Sequence, residues 1–134
     1  MKNLFALILL IAVTASLASA KTKTVRIYFV PWSMSSFANM NAEHVRKRAF
    51  VKTEILDPSS ADAFVAWLGE DKMKEDPRYQ VEDIRLVIDA EQDDGTMRTF
   101  VASRFAISAL SSGKVRIIND SFRAAFNYFY EEGG

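Results

Sequence analysis

IRLVIDAEQDDGTMRTFVASRFAI, residues 84–107, carries the clearest structural statement in the chain. Ile84, Leu86 and Ile88 alternate with Arg85, Val87 and Asp89, and after Asp94-Gly95 come Met97, Val101, Phe105 and Ile107 at even spacings. A period of two is the signature of a strand. Asp-Gly between two such runs marks a hairpin, because a type I′ turn needs positive φ at both central residues. A two-residue turn at Asp94-Gly95 sets Ile88 opposite Val101 and Ile84 opposite Phe105, which puts both apolar sets on one face. It also sets Glu91 opposite Arg98.

The same register places Arg85 directly opposite Arg104 on the polar face. Like charges so placed destabilise a sheet unless something compensates them. Asp83, diagonal to Arg104, and Asp89 nearby are the internal candidates. The alternative is an acidic group on a partner or ligand, since the guanidinium fork matches a carboxylate. Arg98 and Arg116 would extend such a patch.

Working outward toward the C-terminus, Ser111-Ser112-Gly113 makes a second turn and Val115–Ile118 another strand. Asn119-Asp120-Ser121 caps a closing helix in which Phe122, Ala125, Phe126 and Phe129 share a face. Toward the N-terminus, Glu70 to Tyr79 is charged and contains Pro77, and reads as a solvated connection. Before it, Asp57-Pro58-Ser59-Ser60 starts a helix, with Pro at a first-turn position and Ser59 and Asp62 resembling a capping box. Ala61, Phe64, Val65 and Leu68 then lie on one face, and Gly69 ends the helix. Val51, Thr53 and Ile55 form a strand, and Asn41 caps a short helix through Arg48. Val25, Ile27 and Phe29 form the first strand, which ends at Pro31.

The order is strand, short helix, strand, helix, three-stranded meander, helix. It predicts an α+β fold, a mostly antiparallel sheet of about five strands with helices packed on one face. Residues 21–134 are expected to form a single globular domain closed by the amphipathic C-terminal helix.

The segment before that domain, MKNLFALILLIAVTASLASA, has a basic start at Lys2, an apolar run from Leu4 to Val13, and small residues at Ala18-Ser19-Ala20. This is the grammar of a cleavable signal peptide, too short for a membrane anchor. Residues 1–20 are therefore read as removed on export, with a periplasmic or secreted destination and no membrane span in what remains. The chain has no cysteine. It can carry neither a lipoprotein's acylated cysteine nor a disulfide, so the fold must stand on its core.

Lys and Arg together equal Asp and Glu in number. Loss of Lys2 with the signal leaves the domain one acid in excess, without the basic surplus that neutralises phosphates in a nucleic-acid binder. Chemistry is equally sparse. His44 is the sole histidine, and its neighbours Arg46, Lys47 and Arg48 make it a residue of a solvated basic face. A zinc site is disfavoured by that count. The glycines stand at turns and at the tail, so no phosphate-cradling loop exists. The acids Asp57, Asp62, Asp76, Asp83 and Asp89 occupy capping or outward positions, and no pair of them is singled out for glycoside cleavage. No catalytic residue, metal ligand or cofactor is assigned.

One loop is less bland. PWSMSSFANMN, residues 31–41, mixes Trp32, Met34, Phe37 and Met40 with Ser and Asn. Recognition loops have this composition, with rigid apolar anchors among adaptable polar residues. The competing reading tucks Trp32, Phe37 and Met40 back over the core. The expected binding residues are Trp32, Met34, Phe37, Met40, Arg85 and Arg104. The leading expectation is a protein-binding module whose partner is another protein of the cell envelope, an immunity protein or inhibitor of a toxin or hydrolase. Two other classes stand behind it. One is a small-ligand sensor or carrier lined by Phe64, Trp67, Phe122, Phe126 and Phe129. The other is an envelope hydrolase using carboxylates or His44. A homodimer through an exposed strand edge is left open.

Overall fold

The computed structural model describes residues 21–34, 39–76 and 80–133, with side chains through Asn127 in the last helix. The signal-like segment at residues 1–20, Phe37 and the stretch 77–79 lie outside the described residues.

Alternation builds β1 (Thr22–Phe29), β2 (Val51–Ile55), β4 (Leu86–Gln92), β5 (Met97–Ala102), β6 (Ala106–Ala109) and β7 (Lys114–Ile117); β3 is the two-residue strand Lys74–Glu75. All pair antiparallel in one seven-stranded sheet of order β2-β1-β4-β5-β6-β7-β3. The α+β class is as expected. The sheet is wider than the predicted five strands, because β5 and β6 are separate and the charged connection contributes β3. That run, read as wholly solvated, hydrogen-bonds to β7 through Lys74 and Glu75.

Capping chemistry sets the helices. Helix α1 (Ala42–Arg48) starts where Asn41 Oδ1 accepts the His44 N–H at 2.8 Å. Helix α2 (Pro58–Trp67) starts at Asp57, whose carboxylate accepts the Ser60 N–H at 2.9 Å. The cap is thus Asp57 itself rather than the expected box of Ser59 and Asp62; Asp62 instead accepts the Thr22 N–H. Helix α3 (Asp120–Gly133) follows Asn119, which accepts the Phe122 N–H at 2.9 Å. Gly69, at φ +79°, turns the chain after α2 in a backbone conformation that favours glycine. A Cβ there would stand 2.9 Å from Arg116 Nε, so the Arg116 side chain would have to shift.

The expectation of helices on one face holds for α2 and α3 only. They bury Val25, Ile27, Phe29, Leu86, Ile88, Phe100 and Ile107 against Ala61, Val65, Leu68, Phe122 and Phe126. The opposite face is covered too: Val45 of α1 packs with Val30, Ile84, Val87 and Val101, and Met34, Met40 and Val81 close around them.

This second covering corrects the hairpin. Between β4 and β5 the pairs are Val87↔Val101, Ile88↔Phe100 and Ala90↔Arg98, one residue away from the expected register. The turn is a three-residue loop, Asp93-Asp94-Gly95. The Gln92 N–H donates to the Thr96 carbonyl at 2.9 Å, the Gly95 N–H to the Gln92 carbonyl at 3.0 Å, and Gly95 is left-handed at φ +87°. These contacts match a type I turn completed by a bulge residue, the next commonest hairpin solution. Glu91 therefore faces Met97 rather than Arg98.

Candidate functional site

Of the residues singled out in the loop and on the hairpin, Met34, Met40, Arg85 and Arg104 meet on the face that α1 covers. Arg85 immediately precedes β4, and its side chain is enclosed, 1% exposed, beneath the loop that begins at Pro31. Its Nη2 donates to the Met34 carbonyl at 2.8 Å and to Asp83 Oδ2 at 3.1 Å, and Nη1 makes an ion-pair contact of 3.0 Å with Asp83 Oδ1. Arg104, in the bend after β5, sends its own Nη2 to the same Met34 carbonyl at 3.1 Å. The two guanidinium groups are thus not cross-strand neighbours, as the two-residue turn required. They converge on one backbone oxygen.

Asp83 joins the group from the other side. It holds a left-handed backbone, φ +57°, which Asp tolerates better than most residues. From there its Oδ1 accepts the Met40 N–H at 3.2 Å, while the Met40 carbonyl accepts the Ile84 N–H at 2.8 Å. Two points of the loop are therefore tied to one charged cluster, Met34 by the arginines and Met40 by the aspartate. Neutralisation inside the fold is the outcome for Arg85, with Asp83 as its counter-ion. Arg85 Nε and Arg104 Nε are buried with no hydrogen-bond partner among the described residues.

Asp89 does not join Arg85 or Arg104. It accepts Arg46 Nε at 2.9 Å and Nη2 at 2.8 Å, and the Thr99 hydroxyl at 2.8 Å. This fork locks α1 to the middle of the sheet. The hydrogen bond that Arg46 donates to Asp89, opposed by desolvation, raises the Arg46 pKa above its ordinary value. Sequence reasoning missed the pair, although both residues were visible; only the knowledge that α1 crosses this face brings them together.

The loop's apolar residues divide. Trp32 is in the core, 6% exposed, with its indole N–H donated to the Arg123 carbonyl at 2.9 Å and its ring edge-on to Phe29 at 5.1 Å. Met34 and Met40 are half-buried and pack on the α1 face. The tucked-back reading thus describes Trp32, whereas Met34 and Met40 keep part of their surface in solvent. Arg98 and Arg116 do not extend the arginine cluster, because both lie on the opposite face. Arg98 pairs with Glu70 and sits over the Phe100 ring, 5.2 Å from its centroid. Arg116 donates to the Leu68 carbonyl at 2.8 Å over Phe122. Burial lowers the pKa of each.

Of the aromatic residues proposed to line a ligand pocket, Phe64, Trp67, Phe122 and Phe126 pack on one another, and the Phe129 side chain lies outside the described residues. Trp67 stacks on Phe122 at 5.0 Å and 3°, and Phe126 contacts Phe64, Trp67 and Phe122 with ring centroids 5.1–6.3 Å apart. His44 is exposed on α1. Among the described residues no three His, Asp or Glu side chains gather as a metal would require, and no helix is long and apolar enough to cross a membrane.

What fold and site define together is an α+β domain in which buried Arg85 and half-buried Arg104 hold the Met34 carbonyl. Comparison with protein-family models, with curated proteins and with solved structures finds no match for the chain.

Proposed function

We propose that the chain is an exported protein-binding module that acts outside the cytoplasm on a protein of the cell envelope, in the manner of an immunity protein or inhibitor. Its contact element is the loop that begins at Pro31 and ends at Met40. The observation that carries this reading is the double staple on the Met34 carbonyl, by Arg85 at 2.8 Å and Arg104 at 3.1 Å. Ordering a contact residue at the moment of binding consumes affinity, and a Met34 backbone held beforehand avoids that cost. Two guanidinium groups on one carbonyl, that of Arg85 buried and that of Arg104 half-buried, are more than a connecting loop needs, and they act where Met34 and Met40 present adaptable thioethers at the surface. Arg85 and Arg104 thus serve recognition by holding the loop, and the apolar contact falls to the methionines. The signal-like grammar of residues 1–20 supports the compartment.

The test is photocrosslinking in cells that export the protein. A benzoylphenylalanine at Ser33, exposed beside Met34, should yield one adduct of defined mass; the same group at Ser112, on the β6–β7 turn, should not. Arg104→Gln should weaken the Ser33 adduct without unfolding the domain. Equal labelling from both positions, or none from either, would remove the loop as the contact element.

A further inference from the structure

Strand β2 lies at one end of the sheet, and among the described residues only β1 pairs with it. The direction of its backbone follows from its neighbours. The Val30 N–H donates to the Arg85 carbonyl at 2.8 Å, so even-numbered residues in this part of β1 turn toward β4. Odd-numbered ones turn toward β2, in keeping with the Phe29 carbonyl accepting the Phe50 N–H at 3.0 Å. Through the register Ile27↔Thr53 and Phe29↔Val51, the backbone groups of Val51, Thr53 and Ile55 are directed at β1. Those of Lys52 and Glu54 are directed out of the sheet.

Side chains alternate at right angles to this. Val51, Thr53 and Ile55 are half-buried on the face of α2 and α3, while Lys52 and Glu54 are exposed on the other. Phe50 and Leu56, 56% and 67% exposed, flank the strand. The resulting run FVKTEIL, residues 50–56, is complementary to itself when reversed.

We propose that β2 pairs antiparallel with β2 of a second copy about a two-fold axis at Thr53, joining two sheets into one. In that register Lys52 faces Glu54 of the second copy twice over, Val51 faces Ile55, and Phe50 faces Leu56. The outward backbone groups of Lys52 and Glu54 form the hydrogen-bonded pairs, with Thr53 and its copy as the close pair between them. Sliding the strands by one period in either direction sets Lys52 against Lys52 or Glu54 against Glu54, which like-charge repulsion opposes. One register therefore satisfies hydrogen bonds and charge together, and an interface of this symmetry is self-complementary by construction. The contact that Glu54 makes with Arg26, at 3.5 Å between side chains more than half exposed, is a weak competitor.

The test starts from the protein as recovered from expressing cells, its N-terminus read by mass spectrometry. Sedimentation equilibrium should show concentration-dependent doubling of mass. Lys52→Glu and Glu54→Lys should each weaken it by more than about tenfold, since either creates two like-charge pairs. An equimolar mixture of the two variants should dimerise again, because each then meets its opposite. Both positions are exposed, and unchanged circular dichroism confirms folding. Since the chain has no cysteine, Thr53→Cys should cross-link on oxidation across a Cα separation of about 4.5 Å, and Lys52→Cys should not. A protein that stays monomeric with no Thr53→Cys cross-link overturns the proposal. So does dimerisation that survives both charge reversals, or a monomer whose β2 edge is occupied by a different chain.

Discussion

The two faces of the sheet are built on opposite plans. Under α2 and α3 lies a layer of rings and branched side chains, Phe29, Trp32, Phe64, Trp67, Phe122 and Phe126 among them, each touching several others. Such contacts have little direction, and the layer shares them widely. Under α1 and the loop, a smaller apolar group surrounds charges whose partners can be counted individually: Asp83 on Arg85, two guanidinium groups on the Met34 carbonyl, Arg46 on Asp89. The first face supplies stability in bulk. The second holds particular atoms in particular places.

If that contrast is right, the largest loss should come from the aromatic layer. Phe126→Ala empties the meeting point of five rings and should cost about 4 kcal/mol in chemical denaturation, with every probe reporting one cooperative transition. A loss under about 1 kcal/mol would mean that the layer is loosely packed. Asp83→Ala should cost about 3 kcal/mol by leaving Arg85 enclosed without its counter-ion. Its signature should be local, with faster hydrogen exchange at the Met40 and Ile84 amides while the amides of α3 keep their protection. Uniform acceleration across both faces would erase the distinction.

The smallest effect is an acid one. Hydrogen bonds from the Ser60 N–H and hydroxyl hold the Asp57 carboxyl below its ordinary range, and the Thr96 hydroxyl and N–H do the same for Asp94. With the folded value depressed, the unfolded chain binds more protons. The stabilisation is complete above the unfolded value of about 3.9 and disappears as pH falls through the folded one. Carboxyl NMR titration should show both groups titrating late, with the start of α2 and the β4–β5 turn loosening first in acid. Asp57→Asn, which still caps, should flatten that response at α2.

Helix starts were legible because a cap is a local event: Asn41, Asp57 and Asn119 each bond an amide three residues on. The hairpin was legible in existence and not in register. Asp93-Asp94-Gly95 satisfies either turn, and Asp94 settles the longer one by bonding the Thr96 amide at 3.0 Å. Parity could not arbitrate, since both faces of β4 are apolar: Leu86 and Ile88 on one, Val87 on the other. Alternation selects a register only when one face meets water. The arginine cluster suffered from the same slip. Arg85 and Arg104 were singled out for the charge they share, but their meeting point is a backbone carbonyl, which no side-chain pattern announces. Asp89 on Arg46 depended on the path of α1 across the sheet, a tertiary fact.

The brevity of β3 has a further consequence. A sheet with two open ends that copied itself at both would grow without limit, as a fibre does. Here the far end finishes in two exposed, oppositely charged residues, Lys74 and Glu75, too short a template to recruit another strand. A further strand finds little to pair with along Lys74 and Glu75, which disfavours propagation of the sheet at that border.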